Sequence, residues 1–255
     1  MRLFQSSDQP EFLVVITPRH ALISTTLLAV CLTACNPAAT TDPDDKPASP
    51  TASATGAAVP GAPAGGSGTP LSDAVALLPL GEESRTGYER DSFHHWIDED
   101  GDGCDTRREV LLAEAVTKPE QGDRCAITGG SWSSFYDEVE VSDAKKLDID
   151  HMVPLAEAWD SGASEWTADR REQYANDLGS ERSLVAVTAK SNRSKSDKDP
   201  AQWLPPTAAA QCTYASDWVA TKLRWKLTID TKEQTALEKL AGDCPDTVVE
   251  YEVAP

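Results

Sequence analysis

The amino-acid sequence predicts an α+β fold with a small antiparallel sheet, surrounding helices and two disulfide bonds. Residues 147–153 have the pattern of a short strand, and residues 184–188 form the strongest β pattern in the chain. Helical periodicity lies beyond these strands, for example in residues 167–178 and 212–225. Four cysteines in the same part of the chain are the third observation.

Composition restricts the folded part of the chain to its C-terminal portion. Residues 1–70 of the 255 do not have the composition of a core, so we expect one domain over residues 71–255. The formal net charge of −19 argues against a general attraction to nucleic acid, because most proteins that bind it carry a basic surface. A bound metal ion, or the basic strip at residues 190–198, would weaken this objection.

Residues 1–35 have the features of an export signal. A basic segment precedes an apolar run at residues 21–32 that is too short to span a membrane. The run ends in Leu-Thr-Ala-Cys, which resembles the lipobox of bacterial lipoproteins and implies that Cys35 is lipidated. We therefore expect an exported lipoprotein anchored on the extracytoplasmic face, or a secreted protein if the signal is an ordinary one. Residues 36–70 are predicted to be a flexible linker.

The cysteines of the folded part favour two disulfide bonds. An even number of cysteines in an exported chain is typical of a disulfide framework, and no C-x-x-C spacing supports a zinc site. Four cysteines allow three connectivities. We favour the pairing of nearest neighbours in sequence, Cys104 with Cys125 and Cys212 with Cys244.

Residues 98–109 have the ligand order of an EF-hand calcium loop. Acidic residues stand at the first, third and fifth positions, glycine at the sixth and glutamate at the twelfth. The candidate ligands are Asp98, Asp100, Asp102, the carbonyl of Cys104, and Glu109. A structural Ca²⁺ site is one interpretation. The alternative is an acidic turn fixed by the disulfide of Cys104, because no entering helix precedes the loop.

The most informative stretch surrounds an Asp-His pair. Asp148 and Asp150 fall on one side of the strand at residues 147–153, and His151 lies near its end. A carboxylate beside a histidine can bind a metal with one residue and activate water with the next. A second strand follows, and then a short predicted helix at residues 190–197 that carries Asn192.

This order of strand, strand and helix resembles the ββα-metal, or HNH, nuclease site. The wider sequence resembles the C-terminal nuclease domain of GmrSD-type restriction endonucleases and its exported single-domain relatives. The segments that carry the resemblance are Gly87-Tyr88, Gly103-Cys104-Asp105-Thr106-Arg107, Trp132, Asp150-His151 with Pro154, Asn176-Asp177-Leu178, Ser183-Leu184-Val185-Ala186-Val187, Asn192 with Lys195, Lys198-Asp199-Pro200 and Trp203-Leu204-Pro205.

The resemblance implies a role for each residue of the site. His151 is expected to be the general base that takes a proton from the attacking water. Asp150 and Asn192 are expected to ligate Mg²⁺ or Mn²⁺, which prefer such oxygen donors. Asn176 corresponds to the middle asparagine and is expected to hold the histidine or its loop. Asp148 is expected to be an auxiliary ligand or a carboxylate that supports the ligands.

The expected substrate is nucleic acid, DNA rather than RNA, and no protein partner is predicted. Arg107 and Lys195 are candidate phosphate contacts. Structural interpretations stay open: Asn176 could cap a turn, Asn192 could be a helix N-terminal residue, and Arg107 could pair with the acidic loop. The alternative function is a calcium-stabilised cell-surface lipoprotein or binding module without catalytic activity, which the acidic composition favours.

The remaining patterns predict supporting structure. A single strand is expected at residues 133–141, and Asp230 with Glu233 has the spacing of a helix-capping box. The adjacent histidines His94 and His95 are expected to be structural, because neighbouring side chains point in different directions. Further helices are predicted at residues 72–80, 108–116, 155–159 and 231–240.

Overall fold

The structure is a computed structural model that describes residues 68–255. The predicted export signal, Cys35 and most of the linker lie outside the described residues. Within the described part, no helix is long and apolar enough to cross a lipid bilayer.

The described chain combines helices with short antiparallel strand pairs, which confirms the predicted α+β class. The strands are β1 (Thr69–Pro70), β2 (Glu120–Gln121), β3 (Ile127–Thr128), β4 (Trp132–Ser134), β5 (Val139–Val141), β6 (Leu147–His151), β7 (Leu184–Thr188) and β8 (Val248–Val249). The helices are α1 (Leu71–Ala76), α2 (Thr106–Ala113), α3 (Leu155–Asp160), α4 (Ala168–Ala175), α5 (Ala189–Lys195), α6 (Ala208–Trp225) and α7 (Thr231–Asp243). Single 3₁₀ turns occur at Arg90–Ser92, Asp123–Cys125, Ala144–Lys146 and Ala163–Glu165.

The pair β6–β7 with the following α5 forms the centre of the fold. The strands are antiparallel, with Asp150 opposite Val185 and His151 opposite Leu184. Thr188 ends β7 and caps α5, because its hydroxyl accepts a hydrogen bond from the backbone N–H of Ser191. The predicted order of strand, strand and helix is therefore present.

Apolar side chains bury both faces of the β6–β7 strand pair. Leu147 and Ile149 of β6 belong to a small cluster with residues of α2 and β4, including Trp132. Val185 and Val187 of β7 belong to the main core, which includes much of α6. The short strands are stable because they are covered on both sides.

The prediction of one strand at residues 133–141 is wrong. The structure has a hairpin there, in which β4 pairs with β5 and Glu138 has a left-handed φ of 54°. The turn brings Tyr136 into the interior, where its hydroxyl donates to Asp150. It also places Asp137 to accept hydrogen bonds from the hydroxyls of Thr188 and Ser191. These hydrogen bonds to residues distant in the sequence stabilise the turn, although the alternating pattern of residues 133–141 favours a single strand.

Both predicted disulfide bonds are confirmed. Cys104–Cys125 ties the acidic loop to the 3₁₀ turn Asp123–Cys125, and Cys212–Cys244 joins α6 to the end of α7. They close loops with sequence separations of 21 and 32 residues. Each contributes about 3 kcal/mol of stability in the chain-entropy model.

A buried ionic cluster joins α3, α6 and α7. The ammonium of Lys222 donates to Glu157 and Glu233, each at 2.8 Å. Asp230 caps α7 as predicted, accepting from the N–H of Glu233. The Glu233 side chain does not complete a capping box, because it accepts from Lys222 and from the Trp218 indole. Burial raises the pKa of Glu233, and the Lys222 ammonium opposes this shift.

Glu114 forms a hydrogen bond with the edge of β7 that is not paired with β6. The titration of its carboxyl makes the stability of the fold depend on pH. Its carboxyl accepts a hydrogen bond from the N–H of Ala186 at 2.8 Å, and burial raises its pKa to about 7. A pKa above the ordinary value means that the folded state favours the protonated carboxyl. The protonated carboxyl therefore stabilises the folded state. Its contribution to the free energy of unfolding is fully present below pH 4.5 and is lost as the pH rises through about 7.

We expect Glu114→Gln to be about 1–3 kcal/mol more stable than the wild type at pH 8 and similar to it at pH 5, because glutamine keeps the acceptor without the charge. Urea unfolding at the two pH values measures this difference. The exchange Glu120→Gln, at an exposed residue, is the control. Equal stability of Glu114→Gln and wild type at pH 8 would contradict this account.

Candidate functional site

The ββα centre brings four candidate residues together in two pairs. Asp148 and Asp150 are two positions apart on β6, so their side chains lie on the same side of the strand, the side that faces α5. Asn192 and Lys195 are three residues apart on α5 and share a face. The Asn192 amide donates to Asp148 at 3.1 Å, and the Lys195 ammonium donates to Asp150 at 2.6 Å.

Asp150 is held through one oxygen. Its Oδ2 accepts hydrogen bonds from Lys195 and from the Tyr136 hydroxyl, the latter at 2.8 Å. Only 6% of the residue is exposed. Burial raises the pKa of Asp150, and the neighbouring ammonium opposes this shift. Nothing in the sequence pattern pointed to Tyr136, because its contribution depends on the β4–β5 turn.

Lys195 lies inside the protein, and this position corrects its interpretation as a phosphate contact. The side chain is fully buried, and the ammonium also donates to the carbonyl of His151 at 2.9 Å. A phosphate at the surface cannot reach it in this conformation. Lys195 instead provides the counterion of Asp150. The exposed cations of α5 are Lys190 and Arg193.

His151 is oriented by a main-chain carbonyl. Its Nε2 forms a 2.9 Å hydrogen bond with the carbonyl oxygen of Ala175. A carbonyl can only accept, so the proton is on Nε2, and the lone pair of the neutral ring is on Nδ1. Burial lowers the pKa of His151 to about 3, which keeps the imidazole neutral at physiological pH. The neutral ring leaves Nδ1 able to accept a hydrogen bond or a proton.

Two acceptor atoms of this site form no hydrogen bond with the described residues. They are His151 Nδ1 and Asp150 Oδ1, whose residues are each only 6% exposed. The second polar atom of each side chain, His151 Nε2 and Asp150 Oδ2, forms the hydrogen bonds described above. Among the described residues, nothing therefore occupies these two acceptors.

Asn176 clamps the segment that precedes the acidic loop. Its side-chain oxygen accepts from the Ile97 N–H at 3.2 Å and from the Thr106 hydroxyl at 2.8 Å. Its amide donates to the carbonyls of His94 and Glu172, at 2.9 and 2.8 Å. With these four hydrogen bonds, Asn176 holds a loop next to His151, and none of the four reaches Asp148, Asp150 or Asn192.

Arg107 also forms structural contacts. Its guanidinium donates to the carbonyls of Ala144 and Leu147, at 3.1 and 3.0 Å, and so holds the start of β6. It does not pair with the acidic loop. The structure thus brings Asp148, Asp150 and Asn192 together, whereas Arg107 contacts the main chain at the start of β6.

Three aromatic residues surround the imidazole, and one of them, His95, was expected to be structural. Trp96 stacks on His151, with ring centroids 5.6 Å apart, and His95 lies edge-on at 6.4 Å. Trp96 has a φ of 64°, a conformation that costs a residue with a side chain about 1–2 kcal/mol. Tyr174 is nearly parallel to the imidazole at 6.3 Å. The adjacent histidines and tryptophan in the sequence were the available signal for this cluster.

Comparison with known proteins agrees with this architecture. The family model described as "GmrSD restriction endonucleases, C-terminal domain" matches residues 105–240, more than half of the chain. The chain belongs to this family. An uncharacterized secreted protein of Arthroderma benhamiae is 39% identical over 185 residues, which cover 72% of this chain and 88% of the relative. No solved structure matches the chain. The resemblance inferred from the sequence is confirmed.

The acidic loop of this GmrSD C-terminal domain gathers carboxylates at the surface. Carboxylate oxygens of Asp98, Asp100 and Asp102 lie within 4.8 Å of one another. The Asp98 carboxylate also accepts from the N–H groups of Gly101 and Gly103, which shapes the turn. Cys104 can offer only its carbonyl, because its sulfur is in a disulfide. Burial and the aspartates of the loop raise the pKa of Glu109, the twelfth residue of the loop.

A cavity of about 700 Å³ lies beside β7 and is separate from the candidate site. None of the site residues predicted from the sequence lines it. Its wall includes Leu184, Leu178 and the carboxylates of Glu114, Glu138 and Glu181. Such a wall would repel phosphate, so this cavity does not suit a nucleic-acid substrate.

We expect Lys195→Met to lower the stability of the metal-free protein by about 3–5 kcal/mol, because the buried Asp150 carboxylate loses its counterion. The double variant Lys195→Met/Asp150→Asn should recover part of this loss, since no buried charge remains. Urea unfolding of the single and double variants measures the coupling. If Lys195→Met is as stable as the wild type, the Lys195 ammonium does not stabilise the Asp150 carboxylate.

Proposed function

We propose that this domain is a metal-dependent nuclease that hydrolyses phosphodiester bonds of DNA with His151 as the general base. The observation that carries the proposal is the orientation of the imidazole. Its Nε2 proton is held by the Ala175 carbonyl, which leaves the Nδ1 lone pair to accept a proton, and the preceding residue, Asp150, keeps one carboxylate oxygen without a hydrogen bond from the described residues. The family model supports a nuclease, and the printed description of restriction endonucleases favours DNA.

The residues present fit a divalent metal ion. Asp150 offers Oδ1, Asp148 offers a partly exposed carboxylate, and Asn192 offers its amide oxygen because its nitrogen is engaged by Asp148. These hard oxygen donors suit Mg²⁺ or Mn²⁺. When bound, such an ion neutralises negative charge on the phosphate that undergoes substitution. The Asp150 carboxylate is already oriented, because Lys195 and Tyr136 hold its other oxygen.

The chain's own residues then account for proton transfer. His151 Nδ1 takes a proton from the attacking water as the water oxygen bonds to phosphorus. The bond from phosphorus to the leaving ester oxygen breaks, and this oxygen takes a proton from solvent water. The imidazolium that forms keeps its Nε2–H on the Ala175 carbonyl, and this charge-assisted hydrogen bond stabilises it. Lys190 and Arg193 are exposed on α5 and are our candidates for phosphate contacts in place of Lys195.

Export is part of the proposal. The relative from Arthroderma benhamiae is described as secreted, and the two disulfide bonds are typical of proteins in oxidising compartments. We propose Cys35 as the lipid anchor from its sequence context. A lipid anchor would hold the domain at a membrane surface through the linker.

We expect purified protein to nick plasmid DNA in the presence of Mg²⁺ or Mn²⁺ and to lose this activity with a chelator. His151→Ala should lower the rate by about 10²–10⁴-fold, the usual contribution of a general base. Asn192→Ala should weaken the response to metal. His94→Ala is the matched control, because that histidine is exposed and pairs with Glu172 away from the site. Absence of nicking with every divalent metal would overturn the proposal.

A second proposal concerns the loop at residues 98–109, whose carboxylates favour a structural Ca²⁺ ion. Extracellular calcium modules bind at about 0.1–1 mM, so about 10 mM Ca²⁺ should raise stability by about 1–3 kcal/mol. The double variant Asp98→Asn/Asp100→Asn should lose this response, while Glu99→Gln, a change outside the ligand positions, should keep it. Thermal unfolding with and without Ca²⁺ measures the effect. A wild-type protein indifferent to Ca²⁺ would leave the acidic turn as a purely structural element.

A further inference from the structure

Trp96 has a backbone conformation that aromatic residues rarely adopt. Its φ of 64° lies in the left-handed region, where glycine is accommodated without strain. The indole is only partly buried and borders the smaller apolar cluster. Packing in the main core therefore does not account for a tryptophan at this position. A strained residue next to a site is grounds for a functional hypothesis.

Asn176 fixes this conformation from both sides. Its oxygen accepts from the N–H of Ile97, which follows Trp96, and its amide donates to the carbonyl of His94, two residues before Trp96. The preceding residue, Ala175, holds the imidazole through its carbonyl. Two consecutive residues at the end of α4 thus fix both His151 and the aromatic ring that covers it.

We propose that Trp96 is a positioning residue for His151, an inference that rests on the proposed nuclease function. The stacked indole, at 5.6 Å and 29° to the imidazole, limits rotation of the ring about its Cβ–Cγ bond. Nε2 then stays on the Ala175 carbonyl, and Nδ1 keeps the orientation that this hydrogen bond sets. When Nδ1 accepts a proton from water, the imidazolium lies within cation–π distance of the indole.

Tyr174 does not fill the same role. Its ring is also nearly parallel to the imidazole, but its hydroxyl donates to the carbonyl of Val153 and its side chain belongs to the main core. Replacing Tyr174 would disturb packing and catalysis together. Trp96 lies at the border of the core, so its substitution separates the two effects.

The test compares Trp96→Gly, Trp96→Leu and Trp96→Phe in the full chain. Glycine removes the indole and also relieves the backbone strain, so its Tm should stay within about 3 °C of the wild type. We expect kcat on DNA with Mn²⁺ to fall about 10-fold in the glycine and leucine variants with KM unchanged. Phenylalanine retains a stacked ring and should restore most of kcat.

A second measurement does not depend on activity. Long-range ¹H–¹⁵N spectra report which nitrogen of a histidine carries the proton, and the chain has only four histidines. The wild type should show His151 as a single Nε2–H tautomer, and Trp96→Gly should show a mixture. If the wild type fails to cleave DNA, the proposed function fails while this spectrum still decides the positioning role.

Other outcomes overturn the inference. Unchanged kcat and an unchanged tautomer in Trp96→Gly would show that the indole does not position the ring. A higher KM with unchanged kcat would mean that Trp96 contacts the substrate instead. A loss of kcat that follows a large fall in Tm in all three variants, including Trp96→Phe, would reduce Trp96 to a structural residue.

Discussion

The buried ion pair between Lys195 and Asp150 is the interaction on which the site depends. It joins the last turn of α5 to the end of β6, and neither side chain is more than 7% exposed. Removing two charges from water is costly, so the pair is tolerated only because Tyr136 and the carbonyl of His151 complete its hydrogen bonds. The same contacts leave the second carboxylate oxygen of Asp150 without a hydrogen bond from the described residues. The stability of the ββα centre and the geometry of the proposed metal site therefore have one origin.

The end of α4 provides a second constraint. Ala175 orients the imidazole, and Asn176 holds the segment that carries Trp96. Neither residue has a reactive group in the mechanism that we propose. Their contribution is to reduce the number of conformations of His151, which lowers the entropic cost of reaching a reactive geometry. The asparagine of the family motif is thus explained by its hydrogen bonds to the loop.

An acidic domain that is proposed to act on nucleic acid needs local positive charge at the proposed site. The net charge of −19 rules out a broad electrostatic attraction, and the burial of Lys195 removes one expected cation from the surface. The exposed side chains of Lys190 and Arg193 and a bound divalent ion are the remaining sources of positive charge at the proposed site. Phosphate recognition that depends on so few cations should be weak before the metal binds.

The sequence by itself determined β6, β7, α5 and the Asp-His pair at the end of β6, through periodicity and composition. It favoured the nearest-neighbour cysteine pairs among three connectivities, and the structure confirmed them. Only the tertiary structure decided which atoms face solvent. Lys195 lies 45 positions from Asp150, Ala175 lies 24 positions from His151, and Tyr136 enters through a turn that local alternation did not predict. A side chain's partner depends on how distant segments pack, and periodicity assigns a residue to a face without identifying what covers that face.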